Sequence, residues 1–212
     1  IIVTRHFDKS ITVQDFGRGI PLDYNPKEER YNWELVFCEL YAGGKYSGGG
    51  DGNYEYSLGL NGLGSCATQY SSEYMDVTVC RDGFKYSLHF EKGENVGGLT
   101  KEKFRHRSTG STITWRPDID VFTDINIPLE FFVNTMKKQA VVNQGLKLVL
   151  KYETEKGSFE EYEFCYPEGI VGYVKELSDG KEMTLPYYCE TERRGRDRAD
   201  KPEYKVKITA AF

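Results

Sequence analysis

Short β-rich runs joined by tight turns recur along the chain, and this pattern restricts the fold more than any other feature of the sequence. The clearest pairs are Ile1–Phe7 with Ile11–Asp15, and Met75–Cys80 with Phe84–Phe90. Runs rich in β-branched and aromatic residues, separated by two or three turn residues, are typical of hairpins, whose strands pair antiparallel. We therefore predict a sheet that is largely antiparallel.

Helical patterns occur between the hairpins. Apolar residues recur with helical spacing over Trp33–Tyr41, and Pro128 opens a second amphipathic segment that ends near Gly145. Shorter helices are predicted at Ser65–Ser72 and Gly169–Leu177, whereas the charged segment 190–202 is interpreted as a solvated loop. Because helices and hairpins are mixed and hairpins dominate, the predicted fold class is α+β with a mixed sheet.

Charge and composition exclude several classes of function. The 212 residues contain 28 Lys and Arg against 33 Asp and Glu, which gives a net charge of −5. This charge argues against electrostatic binding of nucleic acid by the domain as a whole. No run approaches the roughly 18 apolar residues of a membrane span. The five cysteines form no Cys-x-x-Cys pair, so we expect reduced thiols and a cytoplasmic protein without a structural zinc site.

Glycine is concentrated in residues 43–64, which contain nine glycines. Backbone amides exposed by such a stretch can converge on an anion. The pattern Gly62-x-Gly64-x-x-Ala67 also matches the dinucleotide fingerprint, although the hairpin that follows is not the parallel strand of a Rossmann unit. Upstream, Asp15 precedes Gly17-Arg18-Gly19, where a carboxylate at a strand end can accept a hydrogen bond from an exocyclic amine. A plain glycine-rich turn stays open as the alternative.

Taken together, five segments resemble one family. They are Val13–Pro21, Tyr41–Lys45, Ser57–Gly64, Gly110–Asp118 and Ala140–Leu146. This set is similar to the ATPase domain of the B subunits of bacterial DNA gyrase and topoisomerase IV. The wider group also includes chaperones, histidine kinases and mismatch-repair proteins. The resemblance implies a two-layer α/β sandwich with a mixed, largely antiparallel sheet, here lacking the first helices.

The resemblance also implies roles for individual residues. Asp15 would bind the adenine amine, Ser111 would join the same water network, and Arg81 would lie at the mouth of the pocket. The implied adenine-side residues are Asp15, Arg18, Gly19, Ile20, Pro21, Arg81 and Ser111. The implied phosphate-binding and lid residues are Lys45, Tyr54, Gly59, Leu60, Asn61, Gly62, Leu63 and Gly64.

No residue of the chain matches the family's catalytic base or magnesium ligand. In the family these groups lie on a helix before the first strand, so we expect them upstream of Ile1 and expect the 212-residue chain alone to lack ATP turnover. The expected domains are an N-terminally truncated ATP-binding domain over 1–200, followed at 201–212 by its last strand or the start of a transducer domain.

The function that the resemblance implies is that of the ATP-binding domain in the B subunit of a type IIA DNA topoisomerase. In such an enzyme, an isomerase, ATP binding and hydrolysis with Mg²⁺ drive DNA strand passage. The implied partners are the topoisomerase A subunit, DNA and a second copy of the B subunit, and adenine-pocket inhibitors would compete with ATP. The alternatives are a non-catalytic ATP-binding module, or a chaperone or mismatch-repair ATPase of the same group. The motifs leave gyrase and topoisomerase IV undistinguished.

Overall fold

The computed structural model describes residues 1–42, 62–105, 108–181, 183–196 and 204–212. In chain order the elements are β1 (Ile2–Arg5), β2 (Ile11–Gln14), β3 (Tyr24–Asn25), β4 (Arg30–Tyr31), α1 (Asn32–Phe37), α2 (Gly64–Tyr70), β5 (Ser72–Arg81), β6 (Phe84–Glu91), β7 (Glu94–Lys103), β8 (Gly110–Pro117), α3 (Leu129–Val142), β9 (Leu148–Glu155), β10 (Ser158–Phe164), α4 (Gly169–Ser178), β11 (Tyr188–Gly195) and β12 (Tyr204–Ala211).

Eight of the strands form one sheet in the order β10-β9-β1-β2-β8-β5-β6-β7. The hairpins β1–β2 and β5–β6 are both antiparallel, as predicted. Strand β8 lies between them and pairs antiparallel with β2 on one side and with β5 on the other. This sheet with few helices confirms the predicted α+β class.

The chain divides into two compact units. The first contains Ile1–Leu129 and Leu150–Glu161, and the second contains Glu130–Val149 and Tyr162–Phe212. The first unit therefore holds β1 to β8 with α1 and α2. The second holds α3, α4 and the separate two-stranded sheet of β11 and β12.

The core of the first unit covers one face of the sheet. Val77 of β5 is paired with Ile113 of β8 and with Leu88 of β6, so these apolar side chains share a face. Val36 and Phe37 of α1 pack into the same cluster, in which Phe37 is fully buried. The helix thus packs on the apolar face of the sheet, and burial of that face is the main favourable contribution to stability.

The opposite face of the sheet is polar. Thr12, Thr114, Asp76 and His89 occupy consecutive paired positions across β2, β8, β5 and β6. The hydroxyls of Thr12 and Thr114 share a hydrogen bond of 2.8 Å, and Nδ1 of His89 lies 2.7 Å from Oδ1 of Asp76. An antiparallel sheet commonly has one apolar and one polar face, and here the alternation follows that rule.

Helix α1 is shorter than predicted. The pattern predicted a helix through Tyr41, but α1 ends at Phe37 with Cys38 as its C-cap. Tyr41 has a left-handed backbone (φ 63°), which an α-helix cannot accommodate. Leu40 and Tyr41 are therefore exposed, although their spacing continues the apolar stripe.

The prediction of a solvated loop over 190–202 was wrong for its first part. Residues up to Gly195 belong to β11, which pairs antiparallel with β12. Ion pairs run diagonally across the two strands: Lys207 pairs with Glu190, which lies opposite Thr209, and Lys205 pairs with Glu192. The charged composition thus reflects cross-strand ion pairs on an exposed ribbon.

Strand β7 was not predicted. It contains Gly97 and Gly98, both with positive φ, and the β6–β7 register shifts between Ser87 and His89. Glycine weakens a strand and often marks such an irregularity. The two glycines interrupt the alternating apolar pattern, and the strand was not predicted for that reason. Within the described residues, no helix is long and apolar enough to span a membrane.

We expect the Phe37→Ala substitution to lower the free energy of unfolding by about 3–5 kcal/mol, because it leaves a cavity in the core under the sheet. Urea unfolding followed by circular dichroism measures the change. Phe159→Ala is the control, since Phe159 is 43% exposed and its loss should change stability by less than about 1 kcal/mol. Equal effects of the two substitutions would contradict this account of the core.

His89 makes stability depend on pH. Hydrogen bonds to Asp76 raise its pKa above the ordinary 6.5, burial opposes this, and Glu91 adds to the increase. The raised pKa means that protonated His89 stabilises the fold below about pH 6.5, and that this contribution fades as pH rises through the folded-state value. Because all three groups are more than a third exposed, the contribution is at most about 1 kcal/mol.

Urea unfolding at about pH 6 and about pH 8.5 tests this expectation. The wild-type chain should lose more stability between the two pH values than the His89→Gln variant, which cannot gain a proton. A difference that is the same in both chains would show that other groups carry the pH dependence.

Candidate functional site

Asp15 lies directly after β2, at the end of the sheet where β8 begins. Its backbone N–H donates to the carbonyl of Ser111 at 2.9 Å, which extends the β2–β8 pairing by one residue. Its Oδ1 accepts a hydrogen bond from the N–H of Gly17 at 2.8 Å. In the described part of the chain no donor reaches Oδ2, and the side chain is half-buried. The carboxylate can therefore accept a further hydrogen bond.

The loop after Asp15 approaches β5 closely at Gly19. Gly19 has a φ of 79°, and a Cβ there would come within 2.8 Å of Cγ1 of Val79 and 2.9 Å of the Cys80 carbonyl. Both the backbone angle and the close approach require glycine. The next residues are anchored, because Ile20 packs on the core cluster and Leu22 is buried within it.

The peptide group between Gly19 and Ile20 is held at both ends. Its carbonyl accepts a hydrogen bond from Nη1 of Arg81 at 2.9 Å, and its N–H donates to Oγ of Ser111 at 3.1 Å. Arg81 ends β5, and Ser111, which is 3% exposed, lies near the start of β8. Two strands of the sheet thus fix the orientation of this peptide.

Gly110 is a residue of this site whose role the sequence analysis did not specify. Its φ is 142°, and a Cβ would lie 2.2 Å from the carbonyl oxygen of Asp15 and 3.1 Å from Cα of Phe16. The available signal was its place before Ser111 at the start of the segment Gly110–Asp118, which resembles the family. Gly110 permits the close contact that sets the backbone of Asp15.

The remaining predicted residues are only partly described. Arg18 is exposed and Pro21 is half-buried, both in the loop after Asp15. Gly62 has a φ of 61°, Leu63 is the N-cap of α2 and Gly64 is its first residue. The other phosphate and lid residues of the prediction lie outside the described residues: Lys45, Tyr54, Gly59, Leu60 and Asn61.

The described site combines three chemical features. A carboxylate with an open acceptor position is supplied by Asp15, a buried hydroxyl by Ser111, and a backbone segment without a side chain, packed closely on β5, by Gly19. An acceptor next to such a backbone segment suits a ligand that carries an amine on its edge. The structure brings together Asp15, Gly19, Ile20, Arg81 and Ser111 through the contacts above.

Comparison with known proteins identifies the family. The chain is 35% identical over its whole length to the B subunit of DNA gyrase from Thermotoga maritima, and 36% identical over 89% of its length to that from Streptococcus pyogenes serotype M1. It is also 35% identical over 87% of its length to the B subunit of DNA topoisomerase 4 from Salmonella typhimurium. The chain belongs to the family of gyrase and topoisomerase IV B subunits. No protein-family profile matches it.

The chain spans about a third or less of these relatives, between 28% and 32% of their length. A solved structure of the family, the 43K ATPase domain of Thermus thermophilus gyrase B in complex with an aminocoumarin, superposes with a TM-score of 0.71. That chain is 25% identical, and the match covers 93% of this chain and 48% of that one. The gyrase-type fold expected from the sequence is thereby confirmed.

We expect Gly110→Ala to destabilise the fold by about 1–3 kcal/mol, because the added Cβ must displace the backbone of Asp15. Amide chemical shifts in an NMR spectrum should change at Asp15 and Phe16. The control is Gly195→Ala, since a Cβ at Gly195 meets no heavy atom within 4 Å. Unchanged shifts at Asp15 in the folded Gly110→Ala variant would contradict the role given to Gly110.

Proposed function

We propose that this chain is the ATP-binding part of the B subunit of a type IIA DNA topoisomerase. The observation that carries the proposal is the position of the Asp15 carboxylate, open on Oδ2, beside the close-packed backbone of Gly19. The relatives support it, since they are topoisomerase B subunits, and so does the neighbouring structure, which is named an ATPase domain.

Adenine recognition follows from the chemistry of these groups. The N6 amine of adenine donates hydrogen bonds, and the ionised carboxylate of Asp15 accepts them. A hydrogen bond to a charged acceptor contributes about 1.5–3 kcal/mol. The base would lie against the peptide of Gly19 and Ile20, which can lie close to β5 because residue 19 has no Cβ to collide with Val79 and Cys80. The hydroxyl of Ser111 accepts from Ile20 and retains its own proton to donate to a water near the base.

The phosphate side of the proposal rests on the resemblance. Lys45, Tyr54 and the backbone of Gly59–Gly64 would bind the phosphates, and bound ATP would supply the phosphoanhydride bond whose hydrolysis the parent enzyme uses. The described residues contain no group of three or more His, Cys, Asp or Glu side chains that could hold a metal ion, so we assign Mg²⁺ no ligand among them.

For the whole protein we propose the activity of its family, an isomerase in which ATP binding and hydrolysis drive DNA strand passage. The proposed partners are the topoisomerase A subunit, DNA and a second copy of the B subunit that associates upon ATP binding. The proposed location is the cytoplasm. We retain as a prediction an ATP-binding domain over 1–200, followed at 201–212 by its last strand or the start of a transducer domain.

The non-catalytic module, and the chaperone or mismatch-repair ATPase, are less favoured alternatives. The relatives described above are topoisomerase B subunits, and they align over 87% to 100% of the chain. Both the main proposal and the alternatives require a nucleotide in the same site. Binding of ATP is therefore the property to test first.

We expect Asp15→Asn to weaken ATP binding by about tenfold or more, because the variant keeps the shape of the side chain but loses its charge. Isothermal titration calorimetry on the 212-residue chain measures the affinity. The control is Asp179→Asn, at a carboxylate that is 85% exposed and caps α4 in the second unit. Unchanged affinity in a folded Asp15→Asn variant would remove Asp15 from adenine recognition, and wild-type chain that binds no adenine nucleotide would refute the proposed function.

A further inference from the structure

We propose that Arg81 is a positioning residue of the nucleotide site, which acts by holding the Gly19–Ile20 peptide group rather than by contacting phosphate. The inference rests on the proposed function, because it concerns the same site. It differs from the expectation that Arg81 serves the ligand directly at the mouth of the pocket.

Arg81 makes two hydrogen bonds within the chain. Nη1 donates to the carbonyl of Gly19 at 2.9 Å, and Nε donates to Oδ2 of Asp82 at 3.0 Å. The side chain is 35% exposed, so its stem lies largely against the protein surface. Two of its three nitrogens are thus bound to acceptors of the chain itself.

The carbonyl of Gly19 needs such a partner. Glycine has the widest backbone freedom of any residue, so Gly19, with its φ of 79°, does little by itself to fix the orientation of the peptide that follows it. A peptide group is planar, so hydrogen bonds at its two ends together fix its rotation. Arg81 supplies the bond at the carbonyl end, and Ser111 supplies the bond at the N–H of Ile20.

The hydrogen bonds that hold the Gly19–Ile20 peptide are linked through Ser111 to Asp15, the proposed acceptor of the adenine amine. Ser111 accepts from Ile20 through its hydroxyl and from the N–H of Asp15 through its backbone carbonyl. The peptide that Arg81 holds and the backbone of Asp15, whose carboxylate would bind the adenine amine, are therefore both bonded to the same residue of β8. Loss of Arg81 should make the wall of the base pocket less ordered. This effect should not depend on the number of phosphates that the ligand carries.

The two roles predict different dependence on phosphate. An arginine that contacts phosphate contributes more to ATP than to ADP, and nothing to adenosine, because the attraction depends on ligand charge. An arginine that orders the base pocket contributes the same factor to all three ligands. The number of phosphates on the ligand thus separates the two interpretations.

The experiment is a calorimetric titration of the 212-residue chain with adenosine, ADP and ATP. We expect Arg81→Met to weaken all three by the same factor, about threefold to tenfold, as for the loss of one hydrogen bond. Asp82→Asn is the control, since it removes the ion pair but leaves Gly19 untouched, and asparagine tolerates the φ of 51° at this position. A loss that grows with each phosphate, or no loss at all, would overturn the proposal.

A second measurement needs no ligand. The N–H of Ile20 is protected only while the peptide keeps its orientation, so its hydrogen exchange, followed by NMR, should be faster in Arg81→Met and unchanged in Asp82→Asn. Arg81→Lys, which retains one donor, should restore part of the protection, and it is the variant to rely on should Arg81→Met unfold. Equal exchange in wild type and in both Arg81 variants would overturn the proposal, even in a chain that bound no nucleotide.

Discussion

The pairing of β8 with both β2 and β5 is the constraint on which the rest of the first unit depends. It joins two hairpins that are distant in sequence into one sheet and brings Asp15, at the end of β2, beside Ser111. The same register places Val77 and Ile113 on the face that α1 covers, and Asp76 and Thr114 on the polar face. A shift of one residue would exchange the two faces and separate the parts of the site.

Local patterns in the sequence were sufficient for the hairpins β1–β2 and β5–β6 and for most helices. The turn at Arg81-Asp82-Gly83 and the proline before α3 have physical preferences that act within a few residues. The end of α1 could not be read in this way, because the apolar spacing continues to Tyr41 whereas the backbone of that residue turns left-handed. Strand β7 was missed because two glycines interrupt it, and β11 because its charges are balanced only by the partner strand.

For the site too, some features could be predicted from the sequence and others depended on the fold. The resemblance placed Asp15 and Ser111 near the same base, and the structure places them in direct contact. What the sequence could not reveal is the steric requirement at Gly110, which depends on a strand more than ninety residues away in sequence. Nor could it show that Arg81 binds the Gly19 carbonyl, since that contact depends on how the loop after β2 lies on β5.

The division of the chain into units has a consequence for the order of assembly. The first unit is interrupted in sequence, since residues 130–149 belong to the second unit before the chain returns with Leu150–Glu161. Arg5, which is buried on β1, donates to the carbonyl of Glu153, 148 residues further along. During synthesis on the ribosome, β1 can pair with β2 early, but most of the chain must emerge before its other neighbour in the sheet, β9, exists. Such distant pairings are slow to form, so the early strands would stay exposed to aggregation for longer than those of a protein built from local contacts.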